Sequence, residues 1–307
     1  MISKTARGYT FISIAVILWS FSEIFQKLLQ DTVPPMSKSF FRFFLGMLPL
    51  GLILLMKKDF KMKDWVKRNS KDLLFASILG LSIGNFVYFL GIERTKANLG
   101  SAIYGTYPLF ISIYSFFLLK ENSNLKHKII GYIIGFLATF IILTNLNFAN
   151  LMSSEYIFGN LLVLIAAAIW SIYSVIGKKI TTKERDLTSN IDLKFNFISM
   201  LLASITNLVF IGFMPAEQQS FFAYPLESWI FLFLLGIFVT GLGTWFFFLG
   251  IQDLEVSKGI SLAMFKPILS LVLAFFILGE IPSFLLLLSL PFVLLSVYLI
   301  NKKSATT

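Results

Sequence analysis

Apolar residues run along this chain in long, nearly unbroken stretches separated by short polar ones, with no strand-like alternation inside them. A helix that crosses a bilayer needs about 20 largely apolar residues. Ten stretches qualify, at about 8–29, 36–56, 72–92, 98–119, 128–146, 157–177, 191–213, 228–250, 256–279 and 282–300. The pattern predicts an all-α membrane protein with ten transmembrane helices, and it excludes an outer-membrane barrel, whose strands are shorter and alternate.

The same pattern occurs twice. The stretch from Phe248 to Glu280 aligns without gaps on Phe89 to Glu121, 159 residues earlier. Identities fall at Phe89/Phe248, Leu90/Leu249, Gly91/Gly250, Ile92/Ile251, Gly100/Gly259, Pro108/Pro267, Phe116/Phe275, Phe117/Phe276 and Glu121/Glu280. A four-residue FLGI block, a mid-span proline and a terminal glutamate in one register indicate duplication. At an offset of 151, Ala15/Ala166, Trp19/Trp170, Ser20/Ser171 and Lys27/Lys178 also coincide, so the repeat reaches the first helix of each half. The halves are residues 1–150 and 151–307. Five helices per half is an odd number, so the second half enters the membrane from the opposite side, giving two inverted-topology five-helix repeats. In such architectures the substrate site lies near the midplane, between the repeats.

Composition agrees with the spans: 57% hydrophobic, mean hydropathy +0.82 and 14% charged is more apolar surface than a water-soluble core of 307 residues can bury. The net charge of +10 would point to nucleic acid in a soluble protein, yet its placement makes it a topology signal. With the N-terminus inside, the inner segments hold Lys4 and Arg7, the run Lys57 to Lys71, then Lys120, Lys126 and Lys128. Lys178, Lys179, Lys183, Arg185, Lys258, Lys302 and Lys303 follow on the same side, while Lys38, Arg94 and Lys96 fall in outer loops. This is the positive-inside asymmetry, and it predicts a cytoplasmic (inner) membrane protein with both termini cytoplasmic. No nucleic-acid partner is expected. Lys57 to Lys71 reads as a basic linker resting on anionic headgroups. With no cysteine, thiolate chemistry and cysteine metal sites are excluded, and the single histidine, His127, sits among lysines at a helix start. No metal and no cofactor is expected.

Ten spans in two inverted fives, a Trp-Ser pair in the first helix of each half, and a proline mid-way along spans four and nine resemble the drug/metabolite transporter superfamily. The endings Lys120-Glu121 and Gly279-Glu280 are similar to those of its EamA-type ten-helix branch. That resemblance implies a central cavity formed by helices one to four and six to nine, with five and ten at the periphery.

Lys266 stands mid-way along span nine, where a charge costs a few kcal/mol unless it faces water, a partner or a substrate. It is expected to face the cavity, holding a carboxylate or phosphate, or else locking two helices through Glu23. Pro267 and Pro108 remove a backbone donor at mid-span and are the expected hinges. Glu23 and Arg42 lie at matching depths, so Glu23 has three candidate partners, Arg42, Lys27 and Lys266, and it is also a candidate carrier of a proton or a substrate amine. Trp19 and Ser20, Asn85 and Tyr88, Tyr104 and Tyr107, Trp170 and Tyr173, Thr244 and Trp245 recur at similar depths, and such walls suit a ring-bearing or amphipathic solute. Tyr107 occupies in span four the position of Lys266 in span nine. Gly131 with Gly135, and Gly80 with Gly84, form GxxxG patterns that serve either internal packing or, for span five, a homodimer contact.

These residues predict a secondary transporter, not an enzyme, working by alternating access on a small organic metabolite. An amino acid or related carboxylate, exported, fits the mid-span cation. Importers or exchangers of nucleotide-like or cofactor-like solutes, and multidrug exporters, are the alternatives within the class; a membrane receptor or scaffold is the alternative outside it. No phosphate-binding GxxxxGK[ST] motif is present, so a gradient must supply the energy, with proton coupling or passive facilitation as the candidates.

Overall fold

The computed structural model describes residues 3–29, 31–92, 94–95, 103–121, 123–144, 156–214, 223–278 and 284–302. Within those ranges the side chains at 23, 27, 139, 142–144, 267, 271, 274, 278, 285–287 and 289 are not described. The expectations that rest on Lys96, Gly100, Gly279, Glu280 and Lys303, and on the side chains of Glu23, Lys27 and Pro267, therefore lie outside the described residues.

Each predicted span is helical over most of its described residues. In chain order they are α1 (Lys4–Ser20, continued after Phe21 by Ser22–Leu28), α2 (Pro35–Met56), α3 (Lys63–Ile92), α4 (Tyr107–Leu119) and α5 (Leu125–Thr144). The second half follows with α6 (Ile157–Glu184), α7 (Ile191–Gly212), α8 (Leu226–Ile251), α9 (Val256–Ser261, Leu262–Phe265 and Lys266–Leu278) and α10 (Phe284–Asn301). Inside a bilayer each backbone donor and acceptor must find its partner within the segment, so uninterrupted apolar runs fold as helices.

The duplication is visible in the irregularities. A π-helical stretch occupies Phe75–Ile83 in α3 and Leu234–Leu242 in α8, 159 residues on. The stretches that follow, Gly84–Ile92 and Gly243–Ile251, keep the same offset, as do the helices Tyr107–Leu119 and Lys266–Leu278. In both of the latter the proline stands at the second position, where its missing N–H costs no helical hydrogen bond.

The halves run in opposite directions. Arg7, at the start of α1, reaches Asp253 after α8, whereas Glu184, at the end of α6, reaches Arg68 at the start of α3. One face of the bundle thus gathers the start of α1, the ends of α6 and α10, and the connections after α2, α4, α6 and α8. Tyr9 bonds Asn301, Asn124 bonds the Lys302 carbonyl, and Asp59 accepts from Ser189, Asn190 and Lys194. This is the basic face, and both described ends of the chain meet there.

The contacts between the halves are reciprocal. Gly250 of the second FLGI block lies on Gly8 and Ile12 of α1, so that a Cβ there would stand 2.7 Å from the Gly8 carbonyl oxygen. Gly91 of the first block lies on Gly159 and Val163 of α6, and a Cβ there would stand 3.0 Å from the Gly159 oxygen. Gly8 and Gly159 are 151 residues apart, as are Ile12 and Val163, which is the offset of the first-helix repeat. Between helices in lipid, where no water is displaced, close backbone approach through small residues is the main source of attraction. The repeated glycine therefore has a packing reason.

Two readings of the basic residues change. The stretch from Lys57 to Lys71 is a linker only to Met62; from Lys63 it is already α3, because Trp65 and Leu73 are buried while Glu184 bonds Arg68 and Asn69. Lys38, expected in an outer loop, is a buried residue in the first turn of α2, its ammonium 6.0 Å from the Phe89 ring centre, while Lys178, Lys179 and Lys183 keep the basic face as the last turns of α6. Gly131 and Gly135 of the span-five GxxxG pack inside the chain, against Ser296 and Ile300 of α10 and Met264 of α9. Gly80 and Gly84 likewise face Tyr173 and Ile169 of α6.

Two outcomes follow. Gly91→Val and Gly250→Val should each cost about 1–3 kcal/mol by forcing backbones apart, seen as a lower thermal unfolding temperature in detergent, whereas Gly212→Ala, with nothing within 4 Å of its added carbon, should not. Burial of the Asp59 carboxyl opposes its charge, but hydrogen bonds from Lys194, Ser189 and Asn190 outweigh it and bring its pKa down to about 2. Its tether is thus fully formed above the unfolded value of about 3.9 and is lost as pH falls through about 2. The stability gap between wild type and Asp59→Asn should be constant near neutrality and close in strong acid.

Candidate functional site

Where the halves meet, the helices enclose a cavity of about 60 Å³ lined by Trp19 and Ser22 of α1, Arg42 and Phe43 of α2, Leu81 and Asn85 of α3, and Tyr104 and Tyr107 around the start of α4. From the second half come Trp170 and Tyr173 of α6, Met200 of α7, Thr240 and Thr244 of α8, and Lys266 of α9. Helices one to four and six to nine all contribute, and among the described residues α5 and α10 do not. Those two pack on each other and on α9 through Tyr132, Ala138, Met264, Ile268, Val293 and Ile300.

The wall repeats the internal symmetry. Trp19 and Trp170 meet edge to face, ring centres 6.1 Å apart, and Trp170 is also edge to face with Tyr107 at 4.9 Å. Ser22 with Tyr173 is separated by 151 residues, while Leu81 with Thr240, Asn85 with Thr244, and Tyr107 with Lys266 are separated by 159. Equivalent positions thus surround one cavity, and different side chains at them make its chemistry unequal: an aromatic hydroxyl on one side, an ammonium on the other.

Arg42 is held in place from both halves. Its Nε donates to Thr240 Oγ1 at 2.9 Å and its Nη1 to Asn85 Oδ1 at 3.4 Å. Thr240 Oγ1 in turn donates to the Leu235 carbonyl, five residues back, at 2.9 Å, a reach the π-helical turn provides. Asn85 donates through Nδ2 to the Leu81 carbonyl, which leaves its oxygen turned to the guanidinium. Ser171 Oγ donates to the carbonyl of Tyr107, at the helix start where Pro108 follows.

Of the residues expected at the site, the cavity gathers Trp19, Arg42, Asn85, Tyr104, Tyr107, Trp170, Tyr173, Thr244 and Lys266. Ser20, Tyr88 and Trp245 stand off its wall. Ser20 is buried and donates to the Val16 carbonyl, Tyr88 meets Tyr104 at a tilt of 55° with ring centres 4.5 Å apart, and the indole of Trp245 donates to Asp192. Five wall residues were not expected: Ser22, Phe43, Leu81, Met200 and Thr240. The repeat offset, applied to Tyr173, would have named Ser22. Phe43 and Met200 carry no such signal among so many apolar neighbours.

A cavity walled by both halves of an inverted repeat and bordered by two mid-helix cations is what a solute carrier requires. The model of the EamA-like transporter family matches residues 6–144 and again 157–302, one match per half. The chain belongs to the EamA-like transporter family. Among its EamA-like relatives, an uncharacterized transporter of Clostridium kluyveri is 27% identical over 290 residues, covering 89% of this chain and 86% of that one. An uncharacterized transporter of Archaeoglobus fulgidus is 26% identical over 313 residues and 99% of both chains. YoaV of Bacillus subtilis, also an uncharacterized transporter, is 27% identical over 86% of each. A solved crystal structure at 19% identity superposes with a TM-score of 0.80 over 97% of both chains, which shows the shared fold. The protein is a multi-pass membrane protein of a transporter family.

Because the chain lacks cysteine, the wall can be tested by single substitutions. A cysteine at Thr244, on the cavity, should react with a small water-soluble thiol reagent, and one at Ser296, buried between α5 and α10, should not.

Proposed function

We propose that the protein is a secondary transporter of the cytoplasmic membrane that moves a small organic carboxylate, most simply an amino acid, outward by alternating access. The observation that carries this reading is the pair of cations, Arg42 and Lys266, bordering one aromatic-walled cavity between the repeats. Cations at that depth are costly in lipid and become useful against an anionic group. Arg42 is already oriented by Thr240 and Asn85, so it meets a carboxylate at little entropic cost. Trp19, Trp170 and Tyr107 offer an apolar surface to the remainder of the solute. Glu23 remains a candidate for its amine or for a proton, and Pro108 and Pro267 for the hinges.

The basic face, by the positive-inside rule, is the cytoplasmic one. It is tied shut between the halves: Asp253 sits between Arg7 and Arg185, Glu121 accepts from the backbone N–H of Val256 and Ser257, and Lys128 bonds Glu255. Solute sites occupy about 300 Å³ or more, so the 60 Å³ cavity belongs to a conformation that must widen before a metabolite enters from that side.

Purified protein in liposomes, screened by counterflow against a panel of amino acids, other carboxylates and nucleotide-like solutes, tests the class of cargo. Lys266→Ala and Arg42→Ala should each lower flux of a carboxylate by roughly tenfold to a hundredfold, the value of one charge-assisted hydrogen bond, with membrane levels intact. Undiminished flux in both variants would overturn the assignment. The aromatic walls favour a second reading, exchange of a nucleotide- or cofactor-like ring, and counterflow confined to those solutes would select it.

A further inference from the structure

Asp192, in the first turn of α7, is a carboxylate that neither the cavity nor the ties of the basic face use. It is 6% exposed and forms no ion pair among the described residues. Its Oδ2 accepts from the indole Nε1 of Trp245 at 2.6 Å and its Oδ1 from Nε2 of Gln252 at 3.2 Å. A buried charge held by neutral donors, here the indole, the amide and the backbone N–H groups of the helix start, is neither fully compensated nor expelled, which is the condition for a group that works in both protonation states.

Two strings of contacts lead away from it. Toward the cavity, Asn196 Nδ2 donates to the Asp192 carbonyl at 2.7 Å, and the hydroxyl of Tyr173, a wall residue, donates to Asn196 Oδ1 at 2.9 Å. Toward the basic face, the Gln252 side chain that holds Asp192 belongs to a residue whose carbonyl accepts from Arg185 at 3.1 Å. Its neighbour Asp253 is clamped by Arg7 from α1 and by Arg185 from the connection after α6. Loosening Gln252 therefore acts on the clamp that holds α1 and the α6 end together.

Most of the charged groups on the elements around Asp192 have partners of their own. Lys194 on its own helix and Asp59 from the segment after α2 hold each other, and Arg68 of α3 holds Glu184 of α6. Lys179 of α6 holds Asp72 of α3, Lys183 bonds Asn69, and Lys178 donates to the carbonyls of Ile251 and Leu254. From α2 the arginine in reach of α8 is Arg42, spent on Thr240 and Asn85. In Asp253, burial favours the neutral acid, but the hydrogen bonds and charges of Arg7 and Arg185 prevail and lower its pKa, so mild acid leaves the clamp itself charged.

We propose that Asp192 is a proton site of this transporter, and that binding a proton there releases Trp245 and Gln252 and unlocks the cytoplasmic face. The carboxylate takes its proton from water on one side of the cycle and returns it to water on the other, so a proton gradient drives the conformational exchange. This rests on the transporter reading above, and its test involves no solute, so the two can fail separately.

Ile12 is fully buried behind the clamp, against Gly250 and Gly259, while Leu187 on the basic face is 70% exposed. In inside-out vesicles of full-length protein, an impermeant maleimide is applied to Ile12→Cys, and its rate is divided by that of Leu187→Cys at each pH. The ratio should rise about tenfold per unit of acidification until the site saturates. Adding Asp192→Asn should hold the ratio high and flat. Asp192→Glu should keep the slope, and Gln252→Leu, which separates the carboxylate from the clamp, should abolish it. A flat ratio in the parent, or an unchanged slope in Asp192→Asn or in Gln252→Leu, would overturn the proposal.

Discussion

Two glycine contacts, Gly8 on Gly250 and Gly159 on Gly91, hold the halves at the distance on which the remainder depends. In lipid there is no water to expel between helices, so van der Waals contact along bare backbone is the main attraction available. Both contacts lie toward the rims of the bundle, one on the basic face and one on the face opposite it. Between them the helices cannot all touch at mid-depth, because indoles and phenols fill less regularly than glycines pack. The cavity is the space left there.

A cavity lined from both halves gives an inverted repeat its chemistry. Positions related by duplication begin identical and face one another, as Trp19 and Trp170 still do. Where the copies have diverged, one binding wall differs from the other: Tyr107 opposes Lys266, Asn85 opposes Thr244, Leu81 opposes Thr240. Arg42 spans this divide, since one of its hydrogen bonds goes to each half. A movement of one half against the other would change the grip on its guanidinium.

The basic face illustrates what charges do at a membrane rim. Single exposed ion pairs contribute about 0–1 kcal/mol. Here, however, one member of most pairs is withdrawn from water: Asp253 and Lys128 are each 1% exposed, and Glu184 is fully buried. Their other members stay 26–52% exposed, so each tie contributes more than an exposed pair and less than the about 3–5 kcal/mol lost when a fully buried pair is broken. Glu121, one of the two glutamates that mark the repeat, is among them, accepting from the start of α9.

The order of the chain fixed the ten helices, the duplication and its two offsets, and the inversion, because hydrophobic length and an odd helix count are one-dimensional properties. It also pointed to Lys266, Arg42, Tyr107 and the tryptophan pair, since a cation or a matched aromatic inside an apolar run stands out by composition. Tertiary structure alone decided what each helix turns toward its neighbours. It took Ser20, Tyr88 and Trp245 off the wall and put Thr240 and Met200 on it, and it made a helix of the basic run after Lys63 by burying Trp65. Asp192 was invisible in the sequence because a carboxylate at a helix start is ordinary there; only packing shows that its side-chain partners among the described residues are an indole and an amide and that none of them is a cation. In a chain this apolar, rotation of a helix about its axis carries no hydrophobic signature, so facing is settled by side-chain fit between helices and cannot be read from their order.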